Sequence, residues 1–171
     1  MKKLLSHLAL PSLLCLLLMG TSCALFRKTS RARVKTLIIT GNYMEPRILA
    51  EICQERTKQP IFLFTPAPAG EKASQFYFIT APRHDVETVS VSRFQDLIQY
   101  LNPRTIVILG DQNCVPAEYT EMARENFRVM TVDSDNWEYN ARTMEDILDQ
   151  PSICRTFKEV KKQFNENSLK D

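Results

Sequence analysis

A few polar and aromatic side chains stand where short β-rich runs end, and these are the ones placed to do chemistry. Asn42 follows TLIITG at 36–41, Asp111 and Asn113 follow TIVILG at 105–110, and Asp133, Asp135 and Trp137 follow VMTV at 129–132. Three carboxylates brought close together could hold Mg²⁺ or Ca²⁺ through hard oxygen ligands. The same Asp and Asn residues could instead cap the helices that follow, taking up free backbone N–H groups. Trp137 and Tyr139, in DSDNWEYN, put aromatic faces beside carboxylates and amides. That combination suits a glycan or a peptide, or else covers the end of a core. Cys114 could serve as a thiol nucleophile if a helix start just beyond it stabilised its thiolate, and is otherwise a buried or disulfide-bonded cysteine.

Other chemistries lack their residues. Neither TGNYMEP nor LGDQNCVP contains GxGxxG or GxxxxGK[ST], so the glycine-lined cradle for phosphate is missing. There is no GxSxG, and a His-dependent triad would have to use His84, which its APRHD context places in a turn. The cysteines show no CxxC spacing, which speaks against zinc. DSD at 133–135 resembles the DxD of sugar-nucleotide enzymes over three residues. We therefore expect no cofactor, assign no metal site and no catalytic residue, and take Asn42, Asp111, Asn113, Asp133 and Trp137 as a candidate binding edge.

Such an edge exists only if the strands carrying it end side by side. TLIIT at 36–40 and TIVIL at 105–109 are continuous apolar runs of the kind buried on both faces of a parallel sheet. The first leads into a helix predicted over 45–56, with Pro46 in its first turn and Ile48, Leu49, Ile52 and Cys53 on one face. IFLF at 61–64 is a second strand, and TPAPAGEKAS at 65–74 reads as a loop. Strands over 75–80 and 86–91 form an antiparallel hairpin through APRHD. Ser92 and Gln95 make a capping box for a helix carrying Phe94, Leu97, Ile98 and Leu101, which Asn102-Pro103 stops. Beyond 105–109 we expect a helix over 116–126, a strand over 128–132, a helix over 140–148, and a last helix from Pro151 with Ile153, Phe157, Val160 and Phe164 on one side. This alternation predicts an α/β fold: a three-layer Rossmann-like domain over 35–165 with a mostly parallel sheet and a hairpin insertion, then a frayed tail at 166–171. In open sheets of this type, ligands bind beyond the carboxyl ends of the strands.

The ends of the chain bear on where it works. MKKLLSHLALPSLLCLLLMGTSC begins with two lysines and an apolar run broken too early for a membrane span, the form of a secretory leader over 1–22. Its close, GTSC, resembles a bacterial lipoprotein cleavage site, with Cys23 as the lipidated residue. Arg27, Lys28, Arg31 and Arg33 follow in a basic tether over 23–34, which could touch anionic head groups at about 1 kcal/mol each. Without the leader and its two lysines the 22 basic residues fall to 20, against 20 acidic ones, so net charge points to no nucleic-acid partner. Cys53, Cys114 and Cys154 allow at most one disulfide among themselves, so the scaffold is not built on disulfides.

The order of parts resembles the cell wall-binding repeat 2 family of bacterial surface proteins. The resemblance runs through TLIITGNYMEPRILAEICQ, QPIFLF, LIQYLNPRTIVILGDQN and FRVMTVDSDNWEYNARTMEDIL, with an extra segment at 66–91. Asp111 stands where that family has a second Gly, and Trp137-Glu138 replace the Arg of its Asp-Arg-Tyr ahead of Tyr139. The resemblance implies a single Rossmann-like unit on the envelope that binds rather than catalyses. The expected function is thus a lipid-anchored, non-catalytic binding or scaffolding module on the cell or outer membrane, with a cell-wall glycan or an envelope protein as partner. The alternative is a small metal- or thiol-dependent envelope enzyme using Asp111, Asp133 and Asp135, or Cys114.

Overall fold

The computed structural model describes residues 34–66, 75–81 and 83–168. The leader, the Cys23 anchor, most of the tether and of the 65–74 loop, and residues 169–171 lie outside that range.

The two long apolar runs form the centre of the sheet. β1 (Thr36–Gly41) and β5 (Thr105–Leu109) pair in parallel, Thr36 opposite Thr105 and Thr40 opposite Leu109. Alternate residues of both strands point to opposite faces, and both faces are covered, which is why neither run shows a polar side. β2 (Ile61–Phe64) pairs in parallel with the other side of β1. β6 (Val129–Val132) pairs in parallel with β5. The hairpin of β3 (Gln75–Ile79) and β4 (Val86–Ser90) extends the β2 side antiparallel, giving the order β4-β3-β2-β1-β5-β6. The expected α/β class, mostly parallel sheet and antiparallel hairpin are all present.

Helices cover each face according to the direction of the crossover. β1 to β2 runs one way along the sheet and β5 to β6 the other, so right-handed connections put their helices on opposite faces. One face carries α1 (Met44–Thr57), α4 (Trp137–Leu148) and α5 (Ile153–Ser168), whose Leu49, Cys53, Met144, Ile153 and Phe157 pack on Ile38, Leu63, Val107 and Leu109. The other carries α2 (Phe94–Leu101) and α3 (Ala117–Asn126) over an aromatic cluster. There Phe94 lies 5.9 Å from Phe76 and 5.1 Å from Tyr119, and Phe62 lies 4.8 Å from Phe76, all between ring centroids. These separations are within the range of favourable aromatic pairs. No described helix is long and apolar enough to cross a membrane.

Three boundaries differ from the expectation, each for a local reason. The capping box does not form. The chain enters α2 through a 3-10 turn, Val91–Arg93, whose carbonyl at Val91 takes the Phe94 N–H, and Ser92 Oγ bonds Ser90 Oγ at 3.0 Å. α4 begins at Trp137, three residues earlier than predicted, because Asn136 caps it by accepting from Glu138 N at 3.0 Å and Tyr139 N at 3.1 Å. α5 runs on through Ser168, three residues into the stretch read as a tail.

Candidate functional site

β1 and β5 are the pair at which the chain reverses its direction across the sheet, and the crevice beyond their carboxyl ends is the site such folds use for ligands. The register sets Gly41 and Gly110 side by side there, with Thr40 Oγ1 donating to the Leu109 carbonyl between them. The crevice is filled by the chain's own turn. A Cβ on Gly110 would lie 2.6 Å from Cys114 Sγ, and one on Gly41 would lie 2.9 Å from Cys114 Cα. Gly110 also has φ +98°, a conformation that L side chains rarely adopt. Both glycines are thus required by the close approach of Cys114, in the place where phosphate-binding folds keep glycine for a ligand.

The groups of the β5–α3 turn are spent on holding it. Asp111 Oδ1 accepts from Asn113 N at 3.0 Å and Cys114 N at 3.3 Å, and Asp111 Oδ2 accepts from Asn113 Nδ2 at 2.6 Å. The Asp111 carbonyl takes the N–H groups of Cys114 and Val115, at 3.0 Å each. The Cys114 thiol is held above its ordinary range, first by burial and then by the Asp111 carboxylate, which opposes a second negative charge beside it. A thiolate nucleophile is disfavoured by both effects. All three described cysteines are free and buried.

The β6–α4 turn is built in the same manner. Asn140, fully buried, accepts from Ser134 N at 3.1 Å and donates to the Ser134 carbonyl at 2.7 Å. Asp133 and Asp135 are exposed on either side of it. Although β5 and β6 are neighbours, no three His, Cys, Asp or Glu side chains among the described residues converge closely enough to hold a metal. Asp111, Asp133 and Asp135 therefore do not assemble the carboxylate cluster of the alternative reading; Asp111 is folded back onto its own loop. Trp137 packs against the core, its Cη2 3.6 Å from the Cβ position of Gly110, and Tyr139 faces solvent at 62% exposure. The two aromatics of DSDNWEYN consequently present no common face to a ligand.

Asn42 goes elsewhere. Its Oδ1 accepts from Arg47 at 3.3 Å, and with Tyr43 it forms one end of a groove of about 670 Å³ between α1 and α5. Met44, Ile48 and Ile52 line one wall at four-residue spacing, and Thr156, Val160 and Phe164 line the other. Arg47, Glu51, Glu55 and Arg56 stand along the α1 side. Two polar contacts hold α5 to α1 near opposite ends of α1: Lys161 to Glu45 at 2.5 Å, and Arg56 to Thr156 Oγ1 at 3.3 Å. Reading the apolar spacing as core missed this groove. The usable signal was the width of the stripe, since α1 carries Ile48 and Ile52 in addition to the Leu49 and Cys53 that meet the sheet.

The candidate edge thus divides in three: Asp111 and Asn113 in one self-satisfied turn, Asp133 and Trp137 at the start of α4, and Asn42 at the mouth of the groove. No protein-family model, curated protein or solved structure matches the chain.

Proposed function

We propose that this chain is a lipid-anchored, non-catalytic binding module of the bacterial cell envelope, tethered through Cys23 and the basic segment after it. One observation carries the non-catalytic reading: the crevice between β1 and β5, where a fold of this kind performs its chemistry, is occupied by the Cys114 turn. Polar groups around it are bonded within the turn, so a substrate entering there would have to break them. What remains for function is surface, and the resemblance to cell wall-binding repeat 2 points to the same use. The lipoprotein-like GTSC and the four basic residues between 27 and 33 support the location.

The test is co-sedimentation of the full chain with envelope fragments, either intact or stripped of protein by protease. Saturable binding without release of fragments supports the module, and loss on protease treatment identifies the partner as protein and not glycan. Turnover of wall material would overturn the reading. So would a thermal shift with Mg²⁺, Ca²⁺ or Mn²⁺ that disappears in Asp111→Ala. The anchor is tested separately, because Cys23→Ser should release the chain from the membrane fraction and remove the lipid mass.

A further inference from the structure

We infer that the amino edge of the sheet is a docking surface for an anionic lipid bilayer, so that the domain stands with its carboxyl edge turned away from the membrane. This rests on the anchored reading proposed above and adds the face of the domain that meets the lipid.

Three neighbouring strands are each preceded by a cation. Lys35 comes before β1, Arg104 before β5 and Arg128 before β6, and all three are exposed. Their backbones are fixed by the sheet: Arg104 N donates to the Val34 carbonyl at 3.1 Å, Thr105 N to the Lys35 carbonyl at 3.0 Å, and Ile106 N to the Arg128 carbonyl at 2.9 Å. Thr36 lies opposite Thr105, and continuing that register sets Lys35 opposite Arg104, one strand spacing of about 4.8 Å away. Like charges on adjacent strands oppose one another, yet none of these three side chains makes an ion pair or a hydrogen bond among the described residues.

The two ends of the parallel strands differ in sign. Within two residues of the amino ends of β1, β2, β5 and β6 the charged groups are these three cations, and within the same reach of their carboxyl ends they are Asp111 and Asp133. In the layers around the row, Lys58 is paired with Glu55 at 2.6 Å, and Arg83 and Asp85 share the hairpin turn. Glu125 and Asp149, at the ends of α3 and α4, are matched by Arg56 and Arg155, which bond to the hydroxyls of Thr156 and Ser152 and keep their charge. The row in the sheet layer is thus left positive.

The occupant follows from where the chain enters. Val34, the first described residue, is held at this edge by Arg104 N. Cys23 lies eleven positions earlier, with Arg27, Lys28, Arg31 and Arg33 between them. A chain of that length reaches at most about 40 Å, so with Cys23 lipidated the cationic edge stays within that distance of the head groups. Linkage of this kind supplies a high local concentration, and weak contacts then suffice. Each cation near an anionic surface favours the docked orientation about fivefold, while the carboxylates of the other edge are repelled.

The full chain, reconstituted into vesicles that carry a head-group nitroxide lipid, tests this. The vesicles are phosphatidylglycerol and phosphatidylcholine in equal parts, or phosphatidylcholine alone, and the chain carries a fluorophore at Asn126→Cys on the amino edge or Gln112→Cys on the carboxyl edge. On phosphatidylglycerol the label at 126 should be quenched more strongly than the label at 112. That excess should disappear on phosphatidylcholine, in about 1 M salt, where screening shortens to about 3 Å, and in Lys35→Gln/Arg104→Gln/Arg128→Gln. Arg104→Gln alone should lower the ratio of docked to undocked chain about fivefold. Equal quenching of the two labels on phosphatidylglycerol, or an excess at 126 that survives the triple substitution, overturns the inference. So does binding of soluble heparin by the row with no excess quenching on phosphatidylglycerol, which would assign it to an acidic polymer. Sedimentation with phosphatidylcholine vesicles reads the anchor separately: a chain that joins only phosphatidylglycerol vesicles, and leaves them in the triple variant, keeps the docking surface while the anchored reading falls.

Discussion

Gly110 and Cys114 are in close contact, and substitution there should be felt directly. Gly110→Ala places a methyl group 2.6 Å from Sγ in a backbone at φ +98°. The positive φ alone amounts to about 1–2 kcal/mol, and the clash adds to it. Urea unfolding should show a loss of about 2–4 kcal/mol, and an unchanged midpoint would mean that the Cys114 turn is not seated on Gly110. Cys53 offers a second test through pH. Burial pushes its thiol from the ordinary 9.0 up to about 12, so below pH 9 it is protonated in both folded and unfolded chains and contributes no pH dependence. Between pH 9 and about 12 the unfolded chain gives up that proton while the folded one keeps it, so stability falls as pH rises, by up to about 1.4 kcal/mol per unit. Cys53→Ala should start from a lower stability and show a shallower alkaline slope; identical slopes would place Cys53 in contact with water.

The hairpin β3–β4 depends on one buried amide of α1. Gln54 is 1% exposed, and its Nε2 donates to the Ile79 carbonyl at 3.0 Å and the Thr80 carbonyl at 3.4 Å. Its Oε1 faces His84 Nδ1 at 3.0 Å, so with the amide donors already used, the imidazole supplies the proton. Gln54→Leu keeps the volume and removes the amide donor from the Ile79 carbonyl, while the Thr80 carbonyl keeps the His84 N–H at 3.0 Å, a loss of about 1–3 kcal/mol. Hydrogen exchange over 78–86 should accelerate while the β1–β5 pair stays protected, and uniform acceleration would deny the hairpin this attachment. At this scale much was legible in the residues. The runs 36–40 and 105–109 announce central strands because nothing polar interrupts them, and Asn102-Pro103 stops α2, with Asn102 left-handed at φ 44°. The α4 start was misread because the cap is made by Asn136, the fourth residue of a polar run in which any could have served. The candidate edge was half legible: Gly41 at the end of β1 and Gly110 after β5 mark a close approach, but whether a ligand or the chain itself approaches is decided by Cys114, four residues beyond Gly110.

For the whole molecule, the proposed anchor falls to the N-terminal segment, while the α/β domain presents a closed strand edge and a groove between α1 and α5. Sequence reasoning places ligands at the edge by the rule for open α/β sheets, and the groove escaped it because apolar helix positions are read as core unless the second helix is known to stop short of covering them. The most direct test is photocrosslinking in cells with the full chain, placing a benzophenone amino acid at position 52 in the groove or at position 113 on the strand edge. Adducts should form from position 52 and vanish when Val160→Glu is added on the facing wall. Adducts from position 113 with none from position 52, or adducts from 52 that survive Val160→Glu, would contradict the account.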